Sequence, residues 1–145
     1  MAGGPAHCRH AAPGAFYQGL SEALATYAQA QLHLTETLPD GHTRRDHYQA
    51  LARQGKRVPE LHPQPLPAAC AGVWSIFCEL DAERPPGAGG PGPITSGQLL
   101  DWQRLHGIDL SGWELDAIRR LDRLRLNHDA QQRATATTHT TPDAP

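Results

Sequence analysis

The stretch from Pro93 to Asp122, PITSGQLLDWQRLHGIDLSGWELDAIRRLD, constrains the fold more than any other part of this chain. It carries start and stop signals for two helices, with a tryptophan on each. Thr95 or Ser96 can cap the first, with Gln98 three residues past Thr95 as the reciprocal partner. Gly107 follows Leu105 and His106, where a left-handed residue ends a helix without steric cost. Ser111-Gly-Trp-Glu114 has the spacing of a capping box, so the second helix starts there. No residue of the stretch forms a recognisable nucleophile, metal cage or phosphate cradle. The best-specified region therefore reads as a packed scaffold that presents a surface.

Upstream, Phe16, Leu20, Leu24, Tyr27, Leu34 and Leu38 recur at helical spacing, which predicts a helix from Ala15 to Leu38. Asp40-Gly41 breaks it. Thr43 with Asp46 marks another start, and Tyr48 and Leu51 give that short helix a narrow apolar stripe that Gly55 ends. Prolines at 59, 63, 65 and 67 predict an extended connection without regular structure from Val58 to Pro67. Pro67 suits the first turn of a third helix through about Asp81, whose face of Cys70, Val73, Trp74, Phe77 and Leu80 belongs at the centre of the core. On the last helix Trp113, Ala117, Ile118, Leu121 and Leu124 face inward, and Asp116–Arg120 and Asp122–Arg125 are spaced to pair on the wet side. No segment has convincing strand character. The expected architecture is all-α: a small bundle of about five short helices over residues 14–128. A Gly/Pro/Ala/His-rich segment (1–13) and a Thr-rich tail (129–145) are both expected to be disordered.

With 145 residues, 14 glycines and 13 prolines, the foldable part is about 100 residues, enough for a modest core. No apolar run approaches the roughly 20 residues that cross a bilayer, and the start lacks a signal-peptide layout. Cys8, Cys70 and Cys78 show no C-x-x-C spacing and suit a reducing cytosol rather than a disulfide framework. His7, Cys8 and His10 sit together but lack a second cluster at zinc-site spacing, so no metal and no cofactor is expected. Cys70, on an apolar face, reads as a small hydrophobe. Glu79, Asp81 and Glu83 fall at a helix end where carboxylates are commonly solvated. Phosphate-loop, dinucleotide, zincin and serine-hydrolase motifs are absent, so the chain is not expected to be an enzyme.

The net charge of −2 implies neither a nucleic-acid nor a membrane partner. Its distribution is uneven, however. Arg44, Arg45, Arg53, Lys56 and Arg57 face only Asp46 between residues 43 and 57, which is either a basic patch for an acidic partner or a solvated helix face. The two capped helices could be taken for a helix-turn-helix. Yet five arginines between 96 and 128 are matched by five acids, and Asp109, Glu114 and Asp116 at the start of the second helix would repel phosphate.

Two blocks of residues carry a resemblance. One is Asp40-Gly-His-Thr-Arg-Arg-Asp-His47 with Arg57-Val-Pro-Glu-Leu61. The other combines Trp74, Phe77 and Leu80, a Gly/Pro loop, Pro93-Ile94, then Trp102, Gly107, Leu110, Trp113-Glu114, Ile118 and Leu121-Asp122. Over roughly residues 38–126 the chain resembles the tail assembly chaperones of long-tailed bacteriophages, in the prophage-type group similar to the C-terminal extension of the lambda-like tail chaperone. The helix 15–38 and the tail after Asn127 are not part of the resemblance.

That resemblance implies a non-enzymatic protein of the host bacterial cytoplasm, absent from the mature virion. It would bind the tape-measure protein and keep it soluble during tube assembly, with tail tube protein, a shorter chaperone partner or a second copy as further partners. Arg44 and Arg45, expected to be left exposed by a capped short helix, and Trp102 and Trp113, as aromatic anchors, are the candidate partner-binding residues. Both tryptophans also sit at core spacing. A structural protein such as a head–tail joining component and a small DNA-binding regulator are the competing readings.

Overall fold

The structure, a computed structural model, describes residues 13–138. Five α-helices account for most of them: α1 (Pro13–Thr35), α2 (Arg44–Arg53), α3 (Ala71–Ala82), α4 (Ser96–His106) and α5 (Gly112–Thr138). The all-α expectation holds. The segment 1–12 and residues 139–145 lie outside the described residues, and with them most of the expected N-terminal segment and the end of the expected tail.

The local signals act where the sequence puts them. Thr43 Oγ1 accepts from Asp46 N while the Asp46 carboxylate accepts from Thr43 N, closing the box that starts α2. Thr95 and Gln98 do the same for α4, and Ser111 and Glu114 for α5. Gly107 ends α4 at φ 63°, and its N–H and that of Ile108 both donate to the Gln103 carbonyl. That backbone conformation is disfavoured for any residue with a Cβ.

α1 and α5 run side by side in the same direction. Tyr17 meets Trp113 near their starts, Arg120 donates to Ser21 and Glu22 one turn on, and the chain from Thr35 to Pro39 faces the last turns of α5. α3 packs across α5 and α4 closes over α3. The core lies between them: Leu24 and Ala28 of α1, Val73, Phe77 and Leu80 of α3, Leu99 of α4, and Ala117, Ile118 and Leu121 of α5, with Ile94 and Leu110 from the connections. Each large side chain so buried contributes about 1.5–3 kcal/mol of transfer free energy. Cys70 is fully buried at the head of this face, and Trp74 stacks edge-on against Tyr27 at its margin.

Several details differ from expectation. The proline-rich connection holds one 3₁₀ turn at Pro59–Leu61, because a proline's fixed φ suits the first position of such a turn. The third helix opens with a further 3₁₀ turn, Ala68–Cys70, before α3 proper. Within the Gly/Pro loop, Pro86–Gly87 and Gly90–Pro91 pair as a two-residue antiparallel ribbon, β1 and β2. Phe16, counted among the apolar face of α1, is 60% exposed.

The largest difference is at the C-terminus, where α5 continues ten residues past the expected end at 128. Ala130, Gln131, Gln132, Arg133 and Ala134 are good helix formers. Asp129 pairs with Arg125 one turn back, and the Arg133 guanidinium lies against Gly90, at the spot a Cβ there would occupy. Low apolar content predicted disorder, but helix propensity and this docking hold the segment in register.

Asp122 was expected on the wet side, paired with Arg125. It is buried instead, accepting from Arg84 Nη1 at 2.5 Å and from the Ile94 N–H at 3.4 Å. Arg84 also donates to Asp81 and to the Gly92 carbonyl at 3.0 Å. Burial works against the charged guanidinium, but its two carboxylate partners outweigh that and hold its pKa above the ordinary arginine value. One side chain thus ties the end of α3, the Gly/Pro loop and α5 together. Arg125 turns to Asp81 and Asp129, and Arg120 to α1 rather than to Asp116.

Candidate binding surface

Arg44 and Arg45 do not stand free. Arg44 Nε donates to Glu36 Oε2 at 2.8 Å, and Arg45 Nη2 to Gln31 Oε1 at 3.0 Å, so both half-buried side chains fasten α2 back onto α1. The expectation that the cap would leave them exposed fails because α2 folds back along α1 and brings them over its last turns. Burial raises the Glu36 carboxyl. The Arg44 hydrogen bond and charge, with His33 adding to them, more than reverse this and leave its pKa below the ordinary glutamate value. Asp40, which accepts from the His42 N–H and pairs with His47 at 2.6 Å, and Asp46, which accepts from Thr43, are lowered as well.

Trp102 and Trp113 lie on different helices and are not brought together. Both are half-buried. Trp102 stacks on His106 with ring centroids 4.2 Å apart and donates its Nε1–H to Glu79 at 2.9 Å, joining α4 to α3. Trp113 points across to the start of α1, where its ring lies 5.7 Å from that of Tyr17, which in turn meets Phe16 at 5.6 Å. Phe16, Tyr17 and Trp113 therefore make a partly open aromatic row at one end of the bundle.

Three further exposed apolar side chains were not foreseen. Leu100, Leu105 and Ile108 are 52%, 82% and 47% exposed. Leu100 and Leu105 lie on α4 on opposite flanks, about 140° apart at 100° per residue, and Ile108 follows the helix past Gly107. Helical phase alone could have found Leu100: with Leu99 and Trp102 turned inward, positions 100 and 104 point out. Singly exposed apolar side chains of this kind are ordinary on a protein surface.

The acidic residues at the end of α3 divide between partners, Glu79 going to Trp102 and Asp81 to Arg84, and do not form a carboxylate pair for acid–base work. The thiols of Cys70 and Cys78 are both pushed up by burial, and for Cys78 by Asp81 and Glu79 too, which opposes thiolate formation. Among the described residues no group of three His, Cys, Asp or Glu could hold a metal ion. His7, Cys8 and His10 lie outside them. No helix among them is long and apolar enough to cross a membrane. A groove of about 970 Å³ runs between Thr35–Pro39 and the last turns of α5, but its Glu36 is paired with Arg44, and its Arg125 with Asp129.

Fold and surface thus define an all-α scaffold whose open features are apolar faces. Residues 51–127, a little over half the chain, match the family described as phage tail assembly chaperone, and the chain belongs to that family. No curated protein and no solved structure matches it. Membership gives it a chaperone role in tail assembly, with tail proteins as partners in general. The match opens inside α2 and closes inside α5. Trp102 and Trp113 fall within it, whereas Arg44, Arg45 and the whole Asp40–His47 block of the resemblance fall outside.

Proposed function

We propose that the chain binds the tape-measure protein and keeps it soluble until tail tube subunits enclose it, acting without catalysis in the host cytoplasm and leaving before the virion is complete. The open row of Phe16, Tyr17 and Trp113 is the observation that supports this reading most. A tape measure exposes long amphipathic helices, and an aromatic row on a rigid helix pair is suited to covering one apolar stripe at low entropic cost. Trp113 and the half-buried Trp102 offer ring surface. Arg44 and Arg45 contribute by holding α2 in place and through the guanidinium edges that remain open. The acids at the start of α5 speak against a DNA-binding role for the same helices.

Co-expression with the tape measure tests the proposal. The tape measure is expected in the soluble fraction, bound to the wild-type chain, and mostly lost to the pellet with Phe16→Ser/Tyr17→Ser. Equal recovery with that variant overturns the assigned surface, and an insoluble tape measure beside the wild-type chain overturns the role. Finding the chain in purified particles would favour a head–tail joining component instead.

A further inference from the structure

The groove beside the end of α1 keeps open hydrogen-bonding groups on both of its walls. One wall is the chain from Thr35 to Pro39, and the other is the face of α5 from Arg125 to Ala136. Thr37 stands opposite Thr43 in an isolated antiparallel bridge whose bonds belong to its neighbours. Leu38 N–H donates to the His42 carbonyl, and Arg44 N–H to the Glu36 carbonyl. In that pattern the N–H and C=O of Thr37 itself point away from the Thr43 side. Thr37 lines the groove and no residue from 40 to 54 does, so these two groups turn toward it. The residue is exposed, and neither group has a partner among the described residues. On the α5 wall the side chains of His128, Gln132 and Arg133 likewise take no hydrogen bond or ion pair among the described residues. Leu38 and Pro39 add hydrocarbon. Glu36 is matched by Arg44 and Asp129 by Arg125, which leaves Arg133 as a cation without an acid.

We propose that this groove binds an extended, acid-bearing segment of a partner protein by adding it to Thr37 as a strand. One residue of the segment exchanges both backbone bonds with Thr37 as an antiparallel pair. The Gln132 amide, which both donates and accepts, serves the other edge of the segment's backbone, and the acid turns to Arg133. From Arg125 to Ala136 the α5 wall is about 16 Å long at 1.5 Å per residue. About five extended residues at roughly 3.3 Å each match that length. A helix fits less well, because its backbone groups are spent on its own bonds and would leave Thr37 unmatched. Apart from Arg125, the lining lies outside residues 51–127, so this site is separate from the matched stretch. Nor does it rest on the tape-measure reading, whose aromatic row sits at the other end of α1.

Amide NMR on the isotope-labelled full chain tests this with a capped five-residue peptide that alternates valine and threonine around a central aspartate. Millimolar peptide is expected to move the Thr37 backbone amide and the Gln132 side-chain amide together, and saturably. Full N-methylation of the peptide backbone removes its donors and should weaken binding about tenfold or more, the scale of a lost hydrogen bond. Lysine in place of the aspartate should weaken it about threefold, as expected for one exposed charge pair. Both changes are made in the peptide, so misfolding of the chain cannot imitate them. Arg133→Glu should reverse the preference, so that the lysine peptide binds better than the aspartate one. No saturable shift at Thr37 overturns the proposal, and so do equal shifts with the N-methylated peptide or shifts confined to Phe16, Tyr17 and Trp113. Thr37 shifts that arise on concentrating the chain without peptide would put a second copy in the groove and overturn it as well.

Discussion

The joint between α1 and α2 and the packing of α3 on α5 hold helices by different means. α2 has no buried residue; Tyr48 and Leu51 are only half covered. It stays in place through the Thr43–Asp46 box, the Arg44–Glu36 and Arg45–Gln31 bonds, and a single bridge between Thr37 and Thr43. α3 and α5 meet through hydrocarbon, with Ile118, Leu121 and Val73 almost wholly out of water. Beside them Arg84 and Asp122 form a buried pair, and Arg125 of α5 also reaches Asp81 of α3. Polar contacts that water can still reach contribute little each, because water competes for the same groups, whereas burial of a large aliphatic side chain does not face that competition. The joint should therefore open locally while the core unfolds only as a whole.

The comparison breaks first at the core. Leu121→Ala or Ile118→Ala is expected to cost about 2–5 kcal/mol in denaturant unfolding, through lost transfer energy and the cavity left behind. Leu51→Ala on α2 should cost about 1 kcal/mol or less, since half that side chain is already in water. Similar losses at the two sites would end the distinction. Arg84→Ala, which strands the buried Asp122 carboxylate, belongs with the large effects at about 3–5 kcal/mol.

The two caps give a sharper test, since their chemistry is the same. Thr95→Ala and Thr43→Ala each remove a side-chain acceptor worth about 1 kcal/mol. The first should lower global stability by that amount. The second should speed hydrogen exchange in α2 and leave the global transition almost unmoved. If Thr43→Ala lowers the global midpoint as far as Thr95→Ala, α2 is part of the cooperative core.

The smallest effect is that of pH. Glu36, Asp40 and Asp46 all have folded pKa values below their ordinary ones. Their contribution is thus complete above the ordinary carboxylate range near pH ~4 and is lost as pH falls through the lower folded values. Exchange protection of α2 should decline over that acid range before that of α3 or α5. Earlier loss in α3 would reverse the expected order.

Much of the joint and the core could be read from residues alone. The three capping boxes, Gly107, and the inward face from Cys70 to Leu80 each act within a turn or two of backbone. The site was less legible. Arg44 and Arg45 looked free because sequence shows a helix start but not the helix it folds against. The exposure of Leu100 was hidden among residues that all count as apolar, and only the position of Leu99 tells which of them face out.

What the chain determined by itself is where helices start and stop, since those choices are settled by hydrogen bonds between residues three or four apart. Tertiary structure decided who meets whom. Arg84 reaches Asp122 across 38 positions, Arg133 covers Gly90, and α1 runs beside α5. Such pairings depend on the angles and offsets at which packed helices settle, and no local pattern encodes them.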